Sequence, residues 1–495
     1  MSTIAELNPV PLWKHFAKLC EIPRPSKHED KVVAYIVDFA KQRGLDVKLD
    51  QIGNIIIKKP ATPGMENRKI LAMQSHVDMV PQKNADTEHD FLTDAIKPYV
   101  DGEWVTAEGT TLGADNGIGV AAILALLESE DIPHPPLEAL LTIDEEAGMT
   151  GAKHLQPGHF EAELLLNLDT EDEGELYVGC AGGVDINVTL PYRAQAVPVG
   201  HKAFKLNVRG LRGGHSGLDI DKGRGNANKI ANRIIDTALG EITELHIAEL
   251  DGGSLRNAIP RESFSVITVP AEKAARLSEI ALQEIALIKA ELDNEAKLDI
   301  TLEATKAPET VLDSDTQQRL VRALRCCPNG VERMSTSLEG IAETSNNLAR
   351  VVTEEGAQEG DGGDHRVRIQ CLVRSLSDSA RDQHGLNVAA AFQLAGANVS
   401  LDNAYPGWTP NIQSPLLALM KDVYKDMEGK EPEVKVIHAG LECGLLAKPY
   451  PHWDMVSFGP TIRRAHSPEE RVHIESVGNF WAYFLKVVAA IPQKS

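Results

Sequence analysis

No stretch of the 495-residue sequence approaches the roughly 18 consecutive apolar residues that a membrane-crossing helix needs, so no segment reads as a span. The opening residues, MSTIAELNPVPLWKHF, lack a basic segment followed by an apolar one, so no secretory signal is read there and a cytoplasmic location is expected. Cysteine is scarce. There are six, none in a C-x-x-C pair, and Cys326 and Cys327 are adjacent, which suits a conventional disulfide poorly. Reduced thiols in or near the core are expected. Positive charge is also in deficit, with 50 Lys and Arg against 72 Asp and Glu and a net charge of −22. Such a surface repels phosphate backbones and anionic lipid, so neither nucleic acid nor a membrane is an expected partner.

What is present is ordinary globular composition, 42% apolar and 25% charged, in a chain too long for one compact core. Its core needs no structural metal, so any metal should be functional. Helical spacing of apolar residues covers 27–43 and 117–128, and short apolar runs of strand length cover 54–58, 70–75, 137–143 and 164–168. Strands alternating with helices predict an α/β domain with a mostly parallel sheet covered by helices on both faces. The rhythm changes near residue 187. Residues 191–200 read as loop; strands follow at 204–208, 264–269, 298–302 and 367–373. Helices are expected at 226–239, 271–291, 315–326 and over 388–394. Residues 403–495, with helices from Pro415 and Val477 and a strand at 454–458, are too few to stand alone. The expectation is therefore a domain of 1–186 plus 403–495, interrupted by an inserted α/β domain of 187–402. The acidic, glycine-rich patch 354–365 reads as a solvated hairpin turn in preference to a calcium loop.

The chemistry-bearing residues sit at the ends of these elements. His76-Val77-Asp78 follows the strand ILAMQS, and residues i and i+2 of extended chain share a side, so Asp78 can orient the His76 ring. On its own, H-x-D reads as a solvated loop pair. Asp115 and Asn116 precede the apolar helix and read equally as helix caps. The nearby Gly117-Ile118-Gly119 mimics a dinucleotide fingerprint without its preceding strand, so these glycines are expected to permit close helix packing. Asp144-Glu145-Glu146 follows the strand LEALLTI; adjacent side chains diverge, so one carboxylate can bind a metal while the other reaches the water. Asp169 follows LLLNL, and the acids after it look like a solvated face. His466 lies in RRAHSPEE. Singly, none of these outweighs an ordinary surface residue. As a set, four of the five motifs gather where open α/β sheets form their sites, beyond the carboxyl ends of the strands. Five nitrogen and oxygen ligands suit zinc, manganese or cobalt. They are too many for one catalytic zinc and suit two ions sharing a carboxylate.

These residues resemble the co-catalytic zinc peptidases of family M20. PQKN (81–84), TLGADNGIG, EEAGMTGA, CAGG, GGHSG (213–217), LRNAIPRE, AYPGWTP and HAGLECGL resemble the branch of bacterial cytosolic aminoacyl-histidine dipeptidases across nearly the whole chain. The resemblance implies that Asp115 bridges two divalent ions, zinc or else cobalt or manganese. His76 and Asp169 would complete one site, and Glu146 and His466 the other. Asp78 would orient His76, and Glu145 would be the general base. It implies substrate-binding roles for His215, Asn257 and Arg374 of the inserted domain, and a pocket-lining one for Gly440 in the returning segment 403–495. It also implies a lid and a homodimer formed through that domain. The implied activity is hydrolysis of Xaa-His dipeptides, β-alanyl-histidine included. An N-acyl amino acid deacylase or tripeptidase would share every ligand, and a non-catalytic peptide-binding protein is the alternative of another class.

Overall fold

The computed structural model describes residues 4–336, 338–354 and 365–494. The chain forms two compact units. One comprises Met1–Cys180, Trp408–Val436 and Leu441–Ser495; the other comprises Ala181–Gly407 and Ile437–Gly440.

The first unit is built on an eight-stranded sheet, in the order Asp46–Leu49, Ile55–Lys59, Leu137–Thr142, Leu71–His76, Leu164–Asn167, Asp454–Ser457, Glu175–Cys180, Glu433–Ile437. Its parallel part is the central four strands, 137–142, 71–76, 164–167 and 454–457. Antiparallel pairs flank them at 55–59 and 175–180. Every residue of LAMQSH, LEALLT and LLLN is buried. Strands covered on both faces favour such largely apolar sequences, and each buried Leu contributes about 1.5–3 kcal/mol over leaving it exposed. The late strand Asp454–Ser457 completes this parallel core beside Leu164–Asn167, so the C-terminal segment returns to the first sheet.

The helix Ala114–Glu128 is apolar all round and almost wholly buried. Its glycines serve close packing: a Cβ on Gly119 would come within 2.7 Å of the Leu168 carbonyl oxygen, and one on Gly117 within 3.0 Å of the Phe16 ring. A second, four-stranded antiparallel sheet runs Ile462–Arg463, Arg471–His473, Trp104–Ala107, Pro98–Asp101, so residues 464–470 join two paired strands. The six cysteines are thiols, and all but Cys326 are buried.

The second unit is a nine-stranded sheet, antiparallel in its described pairs, that packs the helices Ala227–Glu241, Ala274–Glu291, Ser314–Cys326 and Asp378–Gln393 around one apolar core. Asn226 and Asp313 cap two of these helices by accepting backbone N–H bonds. Here the sequence reading needs correction. Residues 191–200 are not simply loop, because Pro191 ends a ten-residue strand, Gly182–Pro191, and Ala194–Ala196 pairs with Thr310–Leu312. The unit accordingly takes over at Ala181, against the expected 187, and its main segment runs to Gly407, against 402, because the strand Asn398–Tyr405 pairs with Gly182–Pro191; Ile437–Gly440, expected in the first domain, also belongs to it. The last helix starts at Asp378, ten residues before its apolar stretch at 388. Strands Ala342–Glu354 and Arg366–Ser375 pair antiparallel with Glu354 opposite Arg366. The expected hairpin turn between them lies outside the described residues.

Candidate metal centre

The three strands 71–76, 137–142 and 164–167 run the same way, so their carboxyl ends gather on one edge. His76 is the last residue of the first. Glu145 and Glu146 open a short helix, Glu145–Gly148, after the second, and Asp169 lies two residues beyond the third. Asp115 enters from the first turn of the buried helix, and His466 from the 464–470 loop.

The carboxylate of Asp115 lies between two imidazoles. Its Oδ1 is 3.2 Å from His76 Nε2 and its Oδ2 is 3.2 Å from His466 Nε2. Asp169 Oδ1 is 3.3 Å from the same His76 nitrogen, and Glu146 Oε2 is 3.0 Å from that of His466. One atom each of His76, Asp115 and Glu146 fall within 4.8 Å of one another, a grouping able to hold a metal ion.

Surrounding bonds fix these groups. Asp78, fully buried, places Oδ1 3.3 Å from His76 Nδ1. It also accepts the backbone N–H of Glu145 at 3.0 Å and of Glu146 at 3.2 Å, and the hydroxyl of Ser26 at 2.7 Å. One carboxylate thus orients the His76 ring and sets the chain that carries both glutamates. Asp144, just before them, adopts φ +52°, a left-handed conformation that costs a non-glycine residue about 1–3 kcal/mol. Asn116 donates to the Leu168 carbonyl at 2.7 Å and to Asp169 Oδ1 at 2.6 Å, which anchors Asp169.

The reading of Asp115 and Asn116 as helix caps does not hold: the turn is capped from elsewhere in the chain. Glu470 Oε2 accepts the N–H groups of Leu112 and Gly113 at 2.8 and 2.9 Å, and Oε1 those of Ala114 and Asp115 at 2.8 and 3.2 Å. The buried Arg24 guanidinium donates to the carbonyls of Val77 (3.0 Å), Asp78 (3.1 Å) and Gly113 (2.5 Å), tying the His76 loop to the Asp115 loop. Neither residue stood out in the sequence. Nor did Glu442, a buried carboxyl whose Oε2 accepts from Gln74 Nε2 at 2.6 Å and Thr142 Oγ1 at 2.7 Å. The acids after Asp169 are not all a solvated face: burial, with Asp115 and Asp169 close by, pushes Glu171 up to about 8.

The electrostatics describe a site short of positive charge. Burial and the charges of Asp169, Glu146 and Glu442 hold Glu145 well above the usual carboxylate range, although His76 opposes them. Burial and Asp115 bring Glu146 to about 7. Burial would lower His76, but Asp169, Asp115 and Asp78 drive it well above its ordinary value. Asp115 and Glu146 raise His466 to about 11. Burial would raise Asp115, yet the two imidazoles hold it far below its usual value. A field that drives protons onto two imidazoles attracts a divalent cation for the same reason. The donor set, nitrogen and carboxylate oxygen without thiolate, fits a zinc-like ion, and the buried Glu146 Oε1 finds no hydrogen-bond partner among the described residues.

The remaining sequence-predicted residues belong to the second unit. His215 lies on a two-residue strand paired with Ala258–Ile259. Its Nδ1 accepts the N–H groups of Gly217 at 3.2 Å and Leu218 at 3.1 Å, which assigns the ring proton to Nε2. Burial and the Arg374 charge lower its pKa to about 4, so the ring is neutral. Arg374, also buried, brings Nη2 to 3.4 Å from His215 Nε2 and donates from Nη1 to the Tyr405 hydroxyl at 2.8 Å. Two donors face each other there, an arrangement that accommodates an acceptor oxygen. Asn257 joins this neighbourhood through its backbone, its carbonyl accepting from Ser216 N at 2.8 Å, while its side chain is exposed. Asn347 Nδ2 donates to the carbonyls on either side of it, Arg256 at 3.2 Å and Ala258 at 2.8 Å. Gly440 is half-buried, three residues past the strand Glu433–Ile437 and next to Ala439, whose carbonyl accepts from Ala181 N at 3.0 Å.

Comparison with known proteins gives a consistent result. The model of peptidase family M20/M25/M40 matches residues 72–490. The cytosol non-specific dipeptidase of Escherichia coli K12 is 48% identical over 495 residues, covering 100% of both chains. The crystal structure of an aminoacylhistidine dipeptidase from Vibrio alginolyticus is 49% identical with a TM-score of 0.92, covering 100% of this chain and 99% of that one. Aminopeptidase PepT from Bacillus cereus, at 17% identity and a TM-score of 0.59 over 98% of this chain and 99% of its own, shares the fold alone.

Proposed function

The chain belongs to peptidase family M20/M25/M40, and from that premise we propose that it is a metal-dependent dipeptidase that prefers Xaa-His substrates, β-alanyl-histidine among them. One relative is called non-specific and the other aminoacylhistidine-directed; we take histidine at the second position as the preferred but not exclusive case.

The observation that carries the reading is Asp115 between His76 and His466, with Asp169 and Glu146 completing two nitrogen-and-oxygen groups. His76, Asp115 and Asp169 would hold one divalent ion, and Asp115, Glu146 and His466 the other, zinc before cobalt or manganese. Such a pair supplies acidification of the attacking water and polarisation of the scissile carbonyl. Asp78 orients His76 and, through the Glu145 backbone N–H, fixes the base. Glu145 takes the proton of the attacking water and delivers it to the leaving amine. The facing donors His215 Nε2–H and Arg374 support substrate-binding roles: the first to the carbonyl oxygen as it gains charge, the second to the terminal carboxylate. A grip on that carboxylate favours dipeptides over proteins. Asn257 and Gly440 are proposed to line the same pocket. Association as a homodimer through the second unit, and a cytoplasmic location, complete the proposal; both rest on the family resemblance. No helix among the described residues is long and apolar enough to cross a membrane.

The test is a panel of Xaa-His, other dipeptides, tripeptides and N-acyl amino acids, run with added zinc and after chelation. Fastest turnover of Xaa-His, lost on chelation, is expected. Preference for N-acyl amino acids or tripeptides would replace the substrate class.

A further inference from the structure

His466 and Glu470 are the two ends of one tight turn. Within it the Ser467 hydroxyl donates to the Arg464 carbonyl at 2.8 Å, and the Glu470 N–H donates to the Ser467 carbonyl at 3.0 Å. Arg464 and His466 adopt φ +58° and +63°, so this turn is bent through conformations that unconstrained side chains avoid. At one end the His466 side chain is about half exposed, yet it reaches Asp115 Oδ2. At the other, the Glu470 carboxylate is 2% exposed and holds four successive backbone N–H groups, those of residues 112–115. The turn therefore touches Asp115 twice, at its backbone through Glu470 and at its carboxylate through His466. A half-exposed imidazole has little packing of its own to fix it. The four charge-assisted bonds at Glu470 supply what packing does not.

We propose that Glu470 is a positioning residue for the metal centre: by clamping the amides of residues 112–115 it sets the distance between His466 and the Asp115 carboxylate, and so the affinity of the ion those two would share. This rests on the two-ion reading above. Glu470 touches neither substrate nor the reacting atoms; it acts through Asp115 and His466.

Replacing Glu470 by Gln keeps the shape, but the amide nitrogen then faces two N–H groups, donor against donor, and half the clamp opens. The experiment titrates cobalt(II) into metal-free protein and follows the visible absorption and the heat, first for the parent and then for Glu470→Gln, Glu470→Asp and Glu469→Gln. Glu469 is an exposed partner of Arg464 and serves as the control. The parent should take two ions; one or none would overturn the two-ion reading itself and is seen before any variant is made. Glu470→Gln should lose about ten- to a hundredfold in affinity for one of the two ions, with a changed cobalt spectrum. Glu470→Asp, which keeps the charge but reaches one methylene less far, should fall between it and the parent, and Glu469→Gln should match the parent. Should Glu470→Gln not fold, Glu470→Asp decides in the same assay. A lowered melting temperature with both affinities and the spectrum unchanged would make Glu470 merely structural and overturn the proposal.

Discussion

Replacing Glu145 by Gln separates base from ligand, because the two roles fall on adjacent residues. The side chain keeps its size, and the backbone N–H that donates to Asp78 Oδ1 at 3.0 Å is untouched, so the chain carrying Glu146 should stay in place. Losing a general base costs about 10²–10⁴ in rate, or roughly 3–5 kcal/mol of barrier. The same change removes an ionisable group that burial and the carboxylates of Asp169, Glu146 and Glu442 disfavour. The metal-free protein should therefore melt no lower than the parent, and ion binding should stay at two per chain. The assay is kcat on an Xaa-His dipeptide beside metal content by mass spectrometry and the melting temperature of the apo form. A variant that retains kcat would refute the base. A variant that loses an ion would make Glu145 a ligand.

Three other substitutions or conditions probe the supports. Asp78→Asn turns a donor toward the Glu146 N–H or Ser26, and should cost about ten- to a hundredfold in metal affinity, read by chelator competition; unchanged affinity would remove Asp78 from the account. Gly119→Ala drives a methyl to within 2.7 Å of the Leu168 carbonyl and should destabilise by about 1–3 kcal/mol in urea unfolding, with Asp169 displaced; a neutral result would contradict the packing role. His438, 7% exposed, has its pKa lowered to about 4 by burial first and then by Arg374. The unfolded state then binds more protons between pH 6.5 and 4, so the contribution of the neutral ring is complete above 6.5 and is lost as the pH falls toward 4. For this one group the loss is about 3 kcal/mol, and acid unfolding of His438→Gln should lack that component.

The parallel strands were legible because strands covered on both faces are mostly apolar: LAMQSH, LEALLT and LLLN each carry a run of apolar residues, with their polar residues gathered chiefly toward the carboxyl ends. Their ends then locate His76, Glu146 and Asp169 by rule. Ala342–Glu354 was not legible. Its AETSNN segment carries no apolar run, and its burial is made tolerable by partners elsewhere in the chain: Ser345 with His438, Asn346 with the Pro328 carbonyl, Asn347 with residues 256 and 258. Glu470 and Arg24 escaped for the same reason. They bind backbone groups, Glu470 some 355 residues away, and no side-chain pattern encodes a bond to an amide. Glu171 was misread because a run of acids looks solvated, whereas the first of them is half-buried and raised by that burial and by the charge of Asp115.

The central claim is that His76, Asp115, Glu146, Asp169 and His466 hold two ions on which hydrolysis depends. The most direct measurement is metal content per chain, taken together with dipeptide turnover while zinc is returned stepwise to exhaustively chelated protein. The account predicts no turnover without metal, recovery on titration, and saturation at two ions per chain. Turnover that survives complete metal removal, or content that saturates at fewer than two ions, would contradict it.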